Sequence, residues 1–254
     1  MSRQFTRDYF LELAMGKVSG QTQVNKFGEN PSVGVGTTED VWDGGGTYAF
    51  PASAAITHLR QATDQVGTDA NLPIEIQGLD VNWAAVTQTH NLDGSNTTTE
   101  VLLGTALRRV FRLKVNGNVV AAADIWVGAT GMGAATAKAI IQAGNNQTLM
   151  AIYTVPADKT AYITQYYCDN IPDATRHPDS VAFKLWVADR ANTYEFQLKH
   201  KRGVPHQAPG FNQPFKPYMK ITEKSDIKIS ASVVGGVGED GNPNAGFDLI
   251  LVDN

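Results

Sequence analysis

The sequence predicts an all-β fold: tandem β-sandwich (jelly-roll-like) domains preceded by a short helix and an extended N-terminal arm. Apolar and polar residues alternate over 227–233 and again over 247–251, and this period of two is typical of strands with one buried face. The 24 glycines, together with much Thr, Asn and Val, favour strands and tight turns over helices. Each half of the chain holds several short strands in about 100 residues, the size of a β-sandwich.

Composition argues against several classes of protein. The 254 residues are 42% hydrophobic, which is enough for a packed core, and the net charge of −4 gives no basic footprint for nucleic acid. No apolar run approaches the roughly 20 residues of a membrane span. Neither a nucleic acid nor a membrane is therefore an expected partner. The first residues carry charges where a signal peptide would be apolar, and the single cysteine, Cys168, fits synthesis in a reducing compartment.

Residues 1–40 are predicted to form a helix and an arm that contribute little to the fold of the remainder. Apolar residues at helical spacing predict a short helix over 4–16, ending near Gly16, because glycine favours the position just past a helix end. Residues 17–40 show neither the helical nor the strand period. A long irregular segment is either disordered or laid across a partner, and its apolar residues favour the partner.

Two tandem sandwiches, or one sandwich that carries a second sheet layer, are predicted after this arm, and we favour the tandem sandwiches. Residues 41–147 form the first, in which Asn116-Gly117 is the strongest hairpin signal, and residues 148–254 form the second. A weak internal repeat between the halves fits this division, although a proline that follows a strand could produce the same match by chance. Each sandwich would then have the size of an independent domain.

Alternation also predicts which side chains of the second sandwich face its core. Tyr194, Phe196 and Leu198 alternate strictly and should share the core face, as should the alternate apolar residues of 247–251. Trp186 falls on the face opposite its apolar neighbours. An exposed ring at that position would pack against a neighbouring subunit or stack on a sugar, and we favour the subunit.

No pattern in the chain predicts a catalytic, metal or cofactor site. The five histidines are far apart and outside any metal-binding motif. The glycine-rich segment 128–133 lacks the Lys-Ser/Thr ending of a phosphate-binding loop, so a hairpin tip is the better interpretation. A carboxylate pair for glycoside hydrolysis stays open, since 25 acidic residues make such pairs easy to imagine. We expect a non-enzymatic protein that needs no cofactor.

Two sequence blocks are the most specific in the chain: Trp42-Asp-Gly-Gly-Gly-Thr-Tyr and Ala245-Gly-Phe-Asp-Leu-Ile-Leu. With weaker blocks in the same order, from about residue 16 to the C-terminus, they resemble a family of virion structural proteins encoded by tailed phages, many of them marine. The resemblance implies a component of the virion and no catalytic residue. It does not distinguish a position on the capsid from one in the tail.

The resemblance and the residues together predict a virion structural protein made in the host cytoplasm. A capsid decoration or head-fibre component is favoured, assembled as a symmetric homo-oligomer, with a trimer as one option. Its partners would be other virion proteins, either the major capsid protein or tail components. The alternative is a tail-associated receptor-binding protein that recognises a glycan on the host surface. Seven apolar or aromatic residues are the candidate assembly contacts: Phe5, Tyr9, Phe10, Val24, Phe27, Val33 and Trp186.

Overall fold

The computed structural model describes residues 8–171, 178–205, 208–235 and 240–254, and these are nearly all-β, which confirms the predicted fold class. A single turn of 3₁₀ helix spans Ala134–Thr136. The helix and strands, in chain order, are α1 (Tyr9–Ala14), β1 (Gln21–Glu29), β2 (Thr38–Asp40), β3 (Ile56–Gln61), β4 (Pro73–Leu79), β5 (Ala85–Asn91), β6 (Val101–Leu107), β7 (Arg109–Val115), β8 (Ile125–Gly128), β9 (Ala139–Ile141), β10 (Ile152–Thr154), β11 (Lys159–Asn170), β12 (Ser180–Ala188), β13 (Phe196–Pro205), β14 (Phe211–Ile221), β15 (Asp226–Val234) and β16 (Pro243–Asp253).

Two antiparallel sheets form the sandwich that contains the C-terminal strand, here called the second sandwich. One has the order β1–β16–β11–β14; the other has the order β10–β15–β12–β13, with β2 also paired to β15. Phe247 and Leu249 of β16 are fully buried and share one core with Phe183 and Leu185 of β12. The core face predicted for 247–251 is therefore confirmed.

Two smaller sheets form the first sandwich. One sheet has the strand order β6–β3–β8–β9, and the other has the order β5–β4–β7. Leu59 of β3 and Val127 of β8 share a fully buried core with Ile76 of β4 and Leu113 of β7. The turn predicted at Asn116-Gly117 follows β7, but residues 118–124 directly after it form no strand, so the predicted hairpin is wrong.

The predicted arm is wrong for residues 21–40, which belong to the second sandwich. β1 pairs with β16 along its whole length, and β2 pairs with β15. The first sandwich is thus inserted between β2 and β10. β1 could not be recognised in the sequence, because its inward positions include Thr22, Lys26 and Gly28. These residues pair with the core-facing residues of β16. Without apolar side chains at these positions, the strand period is not visible.

A buried junction joins the two sandwiches. Val41 packs in the second core and the adjacent Trp42 in the first. Across from them, Ala151 faces the second core while Met150 and Ile152 face the first. Trp42 and Met150 form an antiparallel bridge. Each of these two chain segments therefore contributes side chains to both cores, which fixes one sandwich against the other.

The prediction for β13 is wrong in part. Phe196 and Leu198 are 36% and 47% exposed instead of facing the core. Tyr194 precedes the strand and its hydroxyl group donates a hydrogen bond to Asp226. β13 lies at the edge of its sheet, where the opposite sheet does not cover it fully. Alternation is present in this strand, but it separates two faces that are both largely exposed.

Candidate assembly surfaces

Helix α1 exposes most of its apolar side chains. Asp8 begins the helix: its carboxylate accepts hydrogen bonds from the N–H groups of Phe10 (3.0 Å) and Leu11 (3.3 Å), an arrangement that stabilises a helix start. Leu13 is the only buried residue of α1. Four large apolar side chains at the helix and its C-terminal cap are exposed, and we call them the helix patch: Tyr9 (41%), Phe10 (55%), Leu11 (57%) and Met15 (55%).

The helix patch is held against the second sandwich. The Tyr9 hydroxyl donates a hydrogen bond to Gln21 Oε1 at the start of β1. Gly16 and Gly20, with φ of +68° and +70°, allow the chain to turn from the helix into that strand. Large apolar side chains on a short, tethered helix stay in contact with water unless another protein covers them. The patch is therefore suited to protein–protein contact.

β13 and β14 form the far edge of the second sandwich. Within the described ranges, β13 pairs only with β12, and β14 pairs only with β11. Val204 is the only buried residue of β13, and Ile221 the only one of β14. The two strands carry no Asp or Glu but five basic side chains, which we call the basic edge: Lys199, Lys201, Arg202, Lys216 and Lys220.

Packed rings hold the basic edge in place. The Tyr166 hydroxyl and His200 Nδ1 are 2.8 Å apart, and burial raises the pKa of Tyr166, so this hydroxyl stays protonated. The His200 ring stacks on Phe211 with centroids 6.5 Å apart, and Phe215 stacks on Tyr166 at 6.1 Å. The Arg202 guanidinium lies 4.5 Å from the Phe211 ring centroid. These contacts join the edges of the two sheets and orient the charges outside them.

The basic edge favours an acidic partner over a second copy of itself. If β13 paired antiparallel with its own copy about His200, Lys199 of one copy would face Lys201 of the other, and like charges directly opposite destabilise a sheet pair. In β14, Pro214 and Pro217 lack the N–H group that strand pairing requires. Contact between the basic side chains and an acidic protein surface avoids both problems.

Four of the seven predicted contact residues lie before β1 or in the second core, and the structure treats them differently. Phe5 lies outside the described residues. Tyr9 and Phe10 are exposed in the helix patch. Val33 is fully buried in the second core, so a partner contact at that side chain is wrong.

The remaining three predicted residues lie on the second sandwich. Val24 and Phe27 are half-buried on β1 and line a cleft between the two sandwiches. Trp186 is half-buried on the outer face of β12, as its alternation predicted, and its Nε1 donates to Ser230 Oγ at 2.9 Å. Its ring is therefore anchored to its own sheet.

Sequence reasoning missed the basic edge. Segment 196–221 contains five Lys or Arg residues and no Asp or Glu. The net charge of the whole chain is −4, so the local excess of positive charge is not visible in the total. A count of charges along the chain would have found it, although not the strand edges that display it.

The described part of the chain offers little for catalysis. It contains no group of three or more His, Cys, Asp or Glu side chains placed to hold a metal ion. Burial raises the pKa of the Cys168 thiol to about 12, which disfavours the reactive thiolate. Glu100 accepts hydrogen bonds from Thr130 Oγ1 (2.8 Å) and Gly131 N (2.7 Å). A carboxylate thus occupies the glycine-rich loop, which makes it unsuited to phosphate.

No helix among the described residues is long and apolar enough to cross a membrane.

Comparisons with known proteins give distant structural likenesses only. No protein-family model and no curated protein matches the chain. T=1 particles derived from infectious bursal virus match at 10% identity and a TM-score of 0.25, covering 92% of this chain and 70% of that one. The infectious bursal disease virus Gx strain matches at 11% and 0.23, covering 97% and 78%. The VP2 subviral particle of the same virus matches at 9% and 0.22, covering 96% and 77%. These neighbours are components of viral particles, but TM-scores this low carry no argument about function.

Proposed function

We propose that the protein is a non-enzymatic structural component of a tailed-phage virion. In this proposal it is a capsid decoration or head-fibre protein that forms a symmetric homo-oligomer and binds another virion protein. The helix patch is the observation that carries the proposal. The resemblance of the Trp42-Asp-Gly-Gly-Gly-Thr-Tyr and Ala245-Gly-Phe-Asp-Leu-Ile-Leu blocks to virion proteins of tailed phages supports the same role.

The size of the helix patch suits repeated assembly. Full burial of one large apolar side chain contributes roughly 1.5–3 kcal/mol. Four side chains that are each about half exposed would therefore contribute on the order of 3–6 kcal/mol. One such contact is weak, because the loss of translational and rotational freedom on association offsets most of this gain. Many copies on one particle would bind firmly, because their contacts act together.

The basic edge lies at the opposite edge of the sheet from β1 and would make a second contact that provides selectivity. Its five positive charges would attract an acidic surface of a neighbouring virion protein and repel a basic one. We therefore assign attachment to the helix patch and choice of partner to the basic edge. The contribution of the basic edge should weaken at high salt, whereas that of the helix patch should not.

A double substitution in the helix patch tests the proposal. Phe10→Ser with Leu11→Ser should abolish co-sedimentation with particles from which the protein has been removed, and should shift any homo-oligomer toward monomer in sedimentation velocity. Val119→Ser with Val120→Ser is a matched control, because these loop residues are similarly exposed at 49% and 53%. Equal particle binding by both double variants and the unmodified protein would contradict the proposal.

A tail-associated receptor-binding protein is the second candidate function, favoured by the cleft that Val24 and Phe27 line. Quantitative mass spectrometry of purified particles separates the two. Copy numbers on the order of hundreds indicate a component of the shell, and about a dozen or fewer indicate a tail component, since symmetry multiplies shell positions far more than tail positions.

A further inference from the structure

A cleft of about 590 Å³ lies where the two sandwiches meet. Val24 and Lys26 of β1 line one side, Tyr153 of β10 lies beside them, and Phe111 and Arg112 of β7 line the opposite side. This volume is within the range of small-molecule sites. Because both sandwiches contribute walls, the cleft exists only in the assembled fold.

Lys26 is an unusual residue in this cleft, since its side chain is only 3% exposed. It pairs directly with Phe247, which is fully buried, so it lies on the inward face of its sheet. Its Nζ donates a hydrogen bond to the Phe111 carbonyl oxygen, but it forms no ion pair with any residue that the structure describes. A buried ammonium group without a counter-charge is costly, and an anion beside it would offset that cost.

The surroundings of Lys26 add positive charge. Arg112 also lines the cleft and donates from Nη2 to the Asn25 carbonyl oxygen at 3.0 Å, which uses one of its five N–H groups. Desolvation by burial, followed by the positive charge of Arg112, lowers the pKa of Lys26, while the nearby Asp43, which does not line the cleft, acts in the opposite direction. None of the described residues that line the cleft is acidic. Burial raises the pKa of Asp43 to about 8, so at slightly acidic pH this carboxyl group is protonated. At that pH the described lining of the cleft supplies no anion to the two cationic groups.

The remaining walls have the chemistry of a sugar site. Phe111 is half-buried and its ring centroid lies 4.8 Å from that of Tyr153, which gives the cleft an aromatic floor. Gln77, Thr87 and Gln147 line the cleft with neutral polar side chains. An aromatic face packs against the C–H groups of a sugar ring, and amides and hydroxyls bond to its hydroxyl groups.

We propose that this cleft binds an acidic sugar, whose carboxylate pairs with Lys26 and Arg112 and whose ring packs on Phe111. The proposal deepens the second candidate function. Its test needs only the isolated protein and no particle, so the sugar site and the assembly role can fail separately.

Isothermal titration calorimetry with D-glucuronic acid and D-glucose tests the carboxylate directly, because the two sugars differ in that group. Glucuronate should bind at slightly acidic pH, with glucose at least about tenfold weaker, since a charge-assisted hydrogen bond is lost. Lys26→Met should weaken glucuronate binding by about tenfold or more. Lys114→Met, an exposed residue of the same β7 that carries Phe111, should leave it unchanged. Equal affinities for the two sugars, or unchanged binding by Lys26→Met, would overturn the proposal.

A measurement on the unmodified protein covers the case in which Lys26→Met does not fold. Lysine side chains labelled with ¹³C report each ammonium titration by NMR. Saturating glucuronate should raise the pKa of Lys26 by about one unit, which corresponds to a tenfold preference of the sugar for the protonated form. A Lys26 titration that glucuronate leaves unmoved would place any observed binding elsewhere and overturn the assignment.

Discussion

Arg109 of the first sandwich and Asp226 of the second form a bidentate ion pair, with Nε and Nη2 lying 2.9 and 2.8 Å from the two carboxylate oxygens. Their side chains are only 4% and 1% exposed. The hydroxyls of Thr154 and Tyr194 also donate to the same carboxylate. Asp226 is therefore well satisfied, and the pair couples the two sandwiches electrostatically.

Asp226→Asn should destabilise the protein strongly. Arg109 would remain buried without its counter-charge, and breaking a buried pair from one side typically costs about 3–5 kcal/mol. Urea unfolding followed by circular dichroism gives the change. Asp253→Asn removes the exposed partner of Lys159 and should cost less than about 1 kcal/mol. Similar losses in both variants would show that the buried pair has no special role.

Leu249→Ala should lower the free energy of unfolding by about 2–5 kcal/mol, because it leaves a cavity in a fully packed site. Leu102→Ala is the matched control: that leucine is 67% exposed and should change stability by less than about 0.5 kcal/mol. Thermal unfolding of both variants measures the difference. A small effect at Leu249 would mean that β16 is not part of the core.

Two truncations should behave in opposite ways. Removal of residues 1–19 takes away the helix patch and leaves β1, so the protein should stay soluble and unfold cooperatively. Removal of residues 1–40 also takes away β1, β2 and Val33, which exposes the edge of β16 and opens the second core. Light scattering and circular dichroism should show aggregation only for the protein that lacks residues 1–40. A folded, soluble protein that lacks 1–40 would restore the interpretation of this segment as an arm.

Stability should decrease as the pH rises, because of Asp43. Burial raises the pKa of this carboxyl group from 3.8 to about 8. The folded state therefore binds its proton more tightly than the unfolded state, so the stabilisation is complete below pH 4 and is lost as the pH rises through 8. Linkage limits the slope to about 1.4 kcal/mol per pH unit.

Asp43→Asn should flatten this dependence in urea unfolding between those two pH values, since the amide does not titrate. Asp158→Asn, an exposed residue, should retain the slope of the unmodified protein. Identical slopes in the unmodified protein and Asp43→Asn would show that Asp43 does not titrate anomalously.

The sequence predicts the fold class and the faces of the central strands because burial leaves a direct trace in alternation. Ile227, Ile229 and Phe247 lie where their period places them. β1 leaves no such trace, since Lys26 and Gly28 occupy inward positions for reasons that arise only in the folded protein. Gly28 admits the backbone of Ala151, whose N would lie 2.3 Å from an added Cβ.

The candidate surfaces could likewise be predicted only in part from the sequence. Tyr9 and Phe10 are recognisable in the sequence as apolar residues outside any strand. Phe196 is not recognisable as exposed, because alternation identifies two faces of a strand without saying which the opposite sheet covers. The basic edge depends on two strands from different sheets meeting at one side of the sandwich, and only the three-dimensional fold shows that meeting.

The insertion of the first sandwich between β2 and β10 has a consequence for synthesis on the ribosome. Asn25 and Asp248, which form a hydrogen bond, are 223 positions apart, so β1 emerges long before its partner strand exists. The strands β3 to β9 lie within residues 56–141 and can pair as they emerge. β1, and the helix tethered to it, take their final place only when β16 is available. A prematurely terminated chain would then lack a correctly placed helix patch, and under the proposed function it would not be assembled.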